Sequence, residues 1–170
     1  MNEPRSPTAD LLTGYRRDLL RQYLEQVETF RRQMQGWSPD EEHRPIQPGG
    51  WSPHQVAWHV RAVETQAYLP RLEILLAEDG AQLADWDGET WMERHYARQE
   101  GGTRIVDDIH AARRAMAARL QAAPDAVWSR IGQHSFWGAR TLMWWVERSM
   151  AHVDEHIQQL AIPPSRRGEG

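Results

Sequence analysis

The chain of 170 residues contains no cysteine, so disulfide bonds, thiolate metal sites and cysteine nucleophiles are all excluded. Lysine is absent as well, because all 20 basic residues are arginine, and lysine-based chemistry such as Schiff-base formation is excluded with it. Histidine, aspartate and glutamate are therefore the only strong metal ligands that this protein can offer.

Long apolar runs and clusters of positive charge are also missing. No segment approaches the roughly 20 consecutive apolar residues of a membrane span, so we expect no membrane partner. The N-terminal segment MNEPRSPTAD lacks the apolar core of a signal peptide, and we therefore expect the protein in the cytoplasm. The net charge of −4, without a basic block, argues against nucleic acid as a partner.

The residues that are present indicate an ordinary globular protein. Hydrophobic residues make up 40% and charged residues 26%, and 170 residues suit one domain with a single core. We expect that domain to span residues 1–170, with its core at about residues 8–161, flexible termini and a disordered tail PPSRRGEG. The nine tryptophans fill this core or wall a pocket for a small-molecule substrate.

Helical periodicity dominates and strand signals are nearly absent, which predicts an all-α protein. Apolar residues recur at spacings of three and four from Leu11 to Met34, as expected for one face of a long amphipathic helix. The same reasoning predicts four long helices, and a short extra helix between the second and third, at about residues 8–35, 53–78, 89–98, 103–121 and 139–160. Four such helices would pack as a four-helix bundle.

The second helix has a well-defined start and an expected irregularity. Ser52 is placed as its N-cap, Pro53 fits the first helical position, and Gln55 completes a capping box. Pro70 lies inside the helical pattern and lacks a backbone N–H. We therefore expect a kink at this proline.

Three histidines occupy similar positions on the helices that carry them. His152 and His156 lie four residues apart on the last helix, and at about 100° per residue both fall at one edge of its apolar stripe. His59 falls at the corresponding edge of the second helix. Side chains at the edges of facing helices can converge in a cavity, which is how helix bundles build metal sites.

Two interpretations of these histidines stay open at this point. Two imidazoles at this spacing can bind one ion, and zinc, nickel, copper and iron all suit neutral imidazole. Three protein ligands would leave coordination positions for water or substrate. Equally, His152 and His156 could be surface or capping residues, and His59 could be a hydrogen-bonded core histidine.

The remaining histidines have weaker claims to a site. We expect His54 to face solvent in the first turn of the second helix, and His110 to lie on the surface. His43 and His134 are placed in loops. His95 is either exposed or close enough to the site to act as a fourth ligand or an acid–base group.

Acidic side chains near the predicted site are equally open to interpretation. Asp87, Glu89 and Glu93 could form an acidic cluster at the mouth of a cavity, although a solvated helix face explains them as well. Asp154 and Glu155 point away from the histidine edge, so we expect them in solvent or at most behind the metal ligands. No nucleophile elbow, phosphate-binding loop or dinucleotide fingerprint occurs, so the sequence identifies no catalytic residue.

Three segments together resemble the DinB-like family, also known as the DinB/YfiT-like metalloenzymes: the long first helix, GGWSPHQVAWHV and FWGARTLMWWVERSMAHVDEHIQQL. The resemblance spans about residues 11–160. It implies a four-helix bundle, a homodimer, and a divalent transition metal held by His59, His152 and His156. Zinc or nickel is the metal that we favour. Some relatives have a carboxylate where one histidine stands here, which leaves the identity of the metal open.

The resemblance leaves three functions open, of which we favour the first. Thiol-dependent enzymes of this fold, such as mycothiol-dependent maleylpyruvate isomerase and bacillithiol transferases, suggest an S-transferase that joins a low-molecular-weight thiol to a small electrophile. A metal-dependent hydrolase would instead use a metal-bound water, and it needs a general base that the sequence does not identify. A third alternative is a non-enzymatic dimeric stress-response protein whose metal is structural or absent.

Overall fold

The structure is a computed structural model and describes residues 7–161 of the chain. Most of these residues are helical, in α1 (Pro7–Gln35), α2 (Pro53–Val63), α3 (Leu69–Ala77), α4 (Gly88–His95), α5 (Gly102–Ala122) and α6 (Leu142–Leu160). Three short strands accompany them, β1 (Gln82–Leu83), β2 (Ile131–His134) and β3 (Gly138–Thr141). The predicted disordered tail and the predicted flexible N-terminus lie outside the described residues.

Four long helical elements form the bundle. α1 packs beside α5 and α6, and the continuous run of α2 and α3 packs beside the same two helices. The prediction of an all-α four-helix bundle is confirmed, and α4 is the predicted short helix in the connection that follows α3. No helix among residues 7–161 has the length and apolar composition that crossing a membrane requires.

The start of α2 follows the predicted pattern. The Ser52 hydroxyl accepts a hydrogen bond from the Gln55 backbone N–H at 3.2 Å, and the Gln55 side chain accepts one from the Ser52 N–H at 2.9 Å. Pro53 occupies the first turn, where its missing N–H costs no hydrogen bond. The capping box is therefore confirmed, and it fixes the start of the helix that carries His59.

The irregularity expected at Pro70 takes the form of a π-helix. Residues Glu64–Tyr68 form this wider turn between α2 and α3, and the Leu69 N–H donates to the Glu64 carbonyl, five residues back. Pro70 follows directly, and in a regular α-helix its ring would clash with the carbonyl four residues earlier. Because the wider turn relieves that clash, the helix continues through Pro70 as far as Ala77.

The sequence predicts none of these short strands, and the expectation that the last helix begins near Ala139 is wrong because β3 occupies that segment. β2 and β3 form an antiparallel hairpin, and β1 pairs parallel to β2. β3 occupies the residues before α6, which begins at Leu142 with Thr141 as its N-cap. Strands of two and four residues are too short to show a clear period in a sequence, and here they form because distant segments pair.

A buried polar network joins the helices at the centre of the bundle. The Arg113 guanidinium of α5 makes two hydrogen bonds to the Glu64 carboxylate, each at 3.0 Å, and both side chains are fully buried. Ser149 of α6 donates to Glu64 at 2.7 Å. From α1, the Tyr23 carbonyl and the Gln26 side chain accept hydrogen bonds from Arg113 at 3.0 and 2.7 Å. One ion pair therefore connects all four helical elements.

Replacing Arg113 with methionine should lower the free energy of unfolding by about 3–5 kcal/mol, because the Glu64 carboxylate would stay buried without its cation. Urea denaturation followed by circular dichroism measures the loss. The double variant Glu64→Gln with Arg113→Met should lose less, since no buried charge remains. The matched control is Arg119→Met, which removes an exposed pair with Glu73 and should cost less than about 1 kcal/mol. Equal losses of unfolding free energy in Arg113→Met and Arg119→Met would contradict this account.

Candidate metal centre

Three imidazole rings meet at one edge of the bundle, His59 from α2 and His152 and His156 from α6. The Nε2 atom of His152 lies 3.2 Å from the Nε2 atoms of both His59 and His156. The candidate ligand atoms of all three residues lie within 4.8 Å of one another, with His152 buried and the other two half-buried. The structure thus brings together the three histidines that the sequence places at matching helix edges.

Aromatic neighbours and the helices themselves hold the rings in place. The centroid of the His59 ring lies 4.7 Å from that of Trp51, and the His152 ring lies 5.9 Å from that of Tyr68. Val153, the residue after His152, is buried in the core. The histidines therefore lie at the boundary between the core and solvent, where a small molecule can reach them.

The donor set fits a transition-metal ion. Two imidazole nitrogens at about 2.1 Å from one ion, with a tetrahedral angle between them, stand about 3.4 Å apart. The observed Nε2 separations of 3.2 Å are close to this value. Two Nε2 lone pairs at such a distance repel each other unless a proton or a cation lies between them.

Hydrogen bonds at the far side of the rings help to set which nitrogen carries the proton. His156 Nδ1 donates to Gln159 Oε1 at 2.9 Å, which leaves the Nε2 lone pair facing the other two rings. The Nδ1 atoms of His59 and His152 are buried and have no hydrogen-bond partner among residues 7–161. Gln159 is therefore the one described side chain that orients a ring of the centre through a hydrogen bond.

Burial keeps these imidazoles neutral. Desolvation first, and then the neighbouring histidines, lowers the pKa of His152 to about 2. The same two causes lower the pKa of His59 to about 4, and burial lowers the pKa of His156 as well. At neutral pH all three rings are uncharged, which is the form that binds a metal ion.

The histidines line an open cleft of about 540 Å³. Aromatic side chains form much of its wall, namely Trp51, Tyr68, Trp86 and Trp137. Carboxylates line it too, namely Asp85, Asp87, Glu89 and Glu155. A cleft of this volume accommodates a small organic molecule beside the imidazoles.

Comparison with protein families decides where this chain belongs. The sequence model of the DinB superfamily matches residues 15–160, which is most of the chain. The chain belongs to the DinB superfamily. This match confirms the resemblance carried by the sequence motifs, whereas none of the curated proteins matches the chain.

Two solved structures share the fold of this DinB-superfamily protein. YfiT from Bacillus subtilis, described as "a probable metal-dependent hydrolase with an unusual four-helix bundle topology", superposes with a TM-score of 0.73 at 17% identity. That alignment covers 95% of this chain and 90% of YfiT. TT2238, described as a four-helix bundle protein, superposes with a TM-score of 0.55 at 20% identity, over 84% of this chain and 98% of TT2238.

Two other histidines of this DinB-superfamily protein lie where the sequence does not predict them. The expectation that His54 faces solvent is wrong, because its ring is fully buried. It bonds to the Tyr96 hydroxyl at 2.8 Å and to the Glu100 carbonyl at 2.6 Å, since α4 and the segment after it cover the start of α2. His134, expected in a loop, is buried in β2.

His95 does not reach the three histidines of the candidate metal centre. Its ring stacks on Trp91 with centroids 4.0 Å apart, and its Nδ1 makes a hydrogen bond to the Trp91 carbonyl at 3.0 Å. The side chain is exposed on α4 and does not line the cleft. Of the two alternatives for His95, the structure therefore supports the exposed residue.

The acidic residues divide between the cleft and solvent. Asp87 and Glu89 line the cleft, whereas Glu93 does not. Glu155 also lines it, which the position of this residue on α6, away from the histidine edge, did not predict. It remains exposed and pairs with Arg148 at 3.2 Å. The cleft therefore has carboxylates close to its imidazoles.

Tyr68 and Arg71 line the cleft although the sequence does not single them out. In a regular α-helix Tyr68 would lie about 180° around the axis from His59, on the opposite face. The π-helix contains fewer turns for the same number of residues and so rotates the following side chains back toward His59. In the sequence, only Pro70 indicates that the side chains after this point are rotated.

The metal-free protein should lose stability as the pH falls below about 6.5, because the unfolded chain protonates these histidines while the folded protein keeps them neutral. The loss should continue to about pH 4 for His59 and to about pH 2 for His152. It should reach at most about 1.4 kcal/mol per pH unit for each histidine, and these residues should add no pH dependence above about pH 7.

Urea denaturation of chelator-treated protein over a pH series measures this dependence. His152→Gln should flatten it, because glutamine takes up no proton in either state. His95→Gln, which changes an exposed ring outside the cleft, should leave it unaltered. A dependence that persists in full in His152→Gln would show that the buried imidazole is not its source.

Proposed function

We propose that this protein is a metal-dependent hydrolase acting on a small molecule, with His59, His152 and His156 as ligands of one divalent transition-metal ion. The observation that carries the proposal is the convergence of three neutral imidazoles at the wall of an open cleft. Zinc or nickel is the favoured metal because both suit imidazole nitrogen. YfiT, which shares the fold, is described as a probable metal-dependent hydrolase, and this supports the reaction class.

The chain's own residues would prepare the site for this chemistry. A bound ion would supply Lewis acidity and would lower the pKa of a water molecule to about 7. Gln159 holds the His156 proton on Nδ1, which keeps the Nε2 lone pair available. The tryptophans of the cleft exclude bulk water from part of the wall, and they offer apolar surface to the substrate.

Glu155 is our candidate for the proton acceptor. It lines the same cleft as the imidazoles, and its negative charge raises the pKa of His156, against the larger effect of burial. In hydrolysis, a water oxygen attacks the carbonyl carbon while the carboxylate takes a proton from that water. The carboxylic acid then returns the proton to the leaving group as its bond breaks. Glu89, which also lines the cleft, is the alternative acceptor.

Transfer of a low-molecular-weight thiol to a small electrophile, the function favoured from the family resemblance, is the second candidate. The aromatic wall at Trp51, Trp86 and Trp137 suits an apolar electrophile, and the same three histidines would serve a metal that holds a thiolate.

The homodimer, the cytoplasmic location and a role in stress response stay predictions from the sequence.

Protein purified without a histidine tag should contain about one equivalent of a divalent metal per chain. His152→Ala should lose that metal because only two ligands remain, whereas His95→Ala should retain it. Elemental analysis by mass spectrometry measures the content, and a thermal melt before and after chelation measures the effect on stability. Substoichiometric metal with an unchanged melting temperature after chelation would contradict the proposal and favour the non-enzymatic alternative.

A panel of chromogenic esters and amides, assayed with and without a small thiol, should show hydrolysis that needs no thiol. Chelation should abolish this activity and added zinc should restore it. Glu155→Gln should lower kcat by about 100-fold or more, because the proton acceptor is lost. Glu93→Gln, on the exposed side of α4, should leave kcat unchanged. Product that forms only when a thiol is present would reject hydrolysis and favour thiol transfer.

A further inference from the structure

Arg71 of α3 is the one arginine among the described residues that line the cleft. It is buried, with 7% of the residue exposed. Its guanidinium carbon lies 4.9 Å from the centroid of the Trp145 ring and 6.0 Å from that of Tyr68. Its Nε and Nη2 atoms donate to the Ala84 carbonyl at 3.3 and 3.0 Å. These contacts hold the guanidinium in one orientation.

The positive charge of Arg71 has no carboxylate partner within 4.0 Å among residues 7–161. The negative charge of Asp85 favours the charged form of Arg71 from farther away. The Asp85 carboxylate itself lies 3.8 Å from His134 Nε2. Arg113, the other buried arginine of the described residues, is fully paired with Glu64. Burial lowers the pKa of Arg71, because the charged form is incompletely compensated. An anion supplied from outside the chain would provide the missing compensation.

The remaining donors of Arg71 suit a carboxylate. A guanidinium has N–H groups on three nitrogens, and those on Nη1 bond to no described residue, so they can meet the oxygens of a carboxylate. The four carboxylates that line the same cleft would repel a dianion such as phosphate more strongly than a monoanion. The geometry and the charge together therefore favour one carboxylate group.

Arg71 and the imidazoles are close enough to engage one small ligand. Tyr68 is near both, since its ring centroid is 5.9 Å from that of His152 and 6.0 Å from the Arg71 guanidinium carbon. Trp86 and Trp137 line the same cleft as Arg71 and the imidazoles. A molecule that carries a carboxylate, an apolar part and a reactive bond matches these three features of the cleft.

We propose that Arg71 binds a free carboxylate of the substrate, which makes the substrate class an ester or amide that carries an organic acid group. The carboxylate meets the guanidinium, and the bond to be cleaved lies beside His59, His152 and His156. The assignment of a substrate class rests on the proposed function, whereas carboxylate binding by Arg71 stands without it. Arg71 is thus a specificity-determining residue that touches the substrate away from the reacting atoms.

Binding of fluorophenylbutanoate and of its neutral amide, followed by fluorine NMR on the full-length protein, tests this proposal. The wild-type protein, both as purified and after chelation, should bind the acid about tenfold or more tightly than the amide. Arg71→Met should bind the two equally. Arg71→Lys should keep only part of the preference, because lysine lacks the planar fork of donors. The control Arg140→Met, which removes an exposed guanidinium lying 5.2 Å from the Trp144 ring, should retain it fully.

Equal binding of acid and amide by the chelated wild-type protein would overturn the proposal, and so would a full preference in folded Arg71→Met. Circular dichroism shows whether Arg71→Met is folded. If it is not, Arg71→Lys decides, since an undiminished preference there overturns the proposal and a several-fold loss supports it. His152→Ala separates the two hypotheses, because this variant should lose the metal and keep the preference for the acid. Failure to bind metal in the wild-type protein with the acid preference intact would reject the hydrolase while leaving the Arg71 site in place.

Discussion

The buried ion pair between Glu64 and Arg113 is the interaction on which the arrangement of the site depends. Glu64 lies in the π-helix, five residues after His59, and Ser149, which donates to Glu64, lies one turn before His152 on α6. The pair therefore fixes the relative position of the two helices that bring the imidazoles together. Because neither charge can be buried without the other, the network favours one register of α5, α6 and the run of α2 and α3.

Pro70 connects this network to the cleft. The wider turn before it begins at Glu64 and rotates Tyr68 and Arg71 toward the face that carries His59. The same low-dielectric surroundings then act on the site in two ways. They keep the histidines neutral, with lone pairs available for a metal, and they leave the charge of Arg71 short of an anion.

Much of this fold can be predicted from the sequence, since the features concerned depend on neighbours in the chain. The apolar spacing from Leu11 to Met34 predicts α1, and Ser52 with Gln55 marks the start of α2, because both patterns express hydrogen bonding within one helix. For the same reason His152 and His156 must lie on one face of their helix. The strands, His54 and Arg71 have no such local signal, as each depends on contacts with residues far away in the chain.

By itself the sequence determines the helices, the edge of each helix on which the three histidines lie, and the exclusion of cysteine and lysine chemistry. Only the tertiary structure decides that His59 comes within 3.2 Å of His152, a residue more than 90 positions later in the chain. It also decides that His54 is buried and that Glu155 lines the cleft. The physical reason is that helical periodicity fixes directions around one axis, whereas the distance between two axes is set by packing and by the buried Glu64–Arg113 pair.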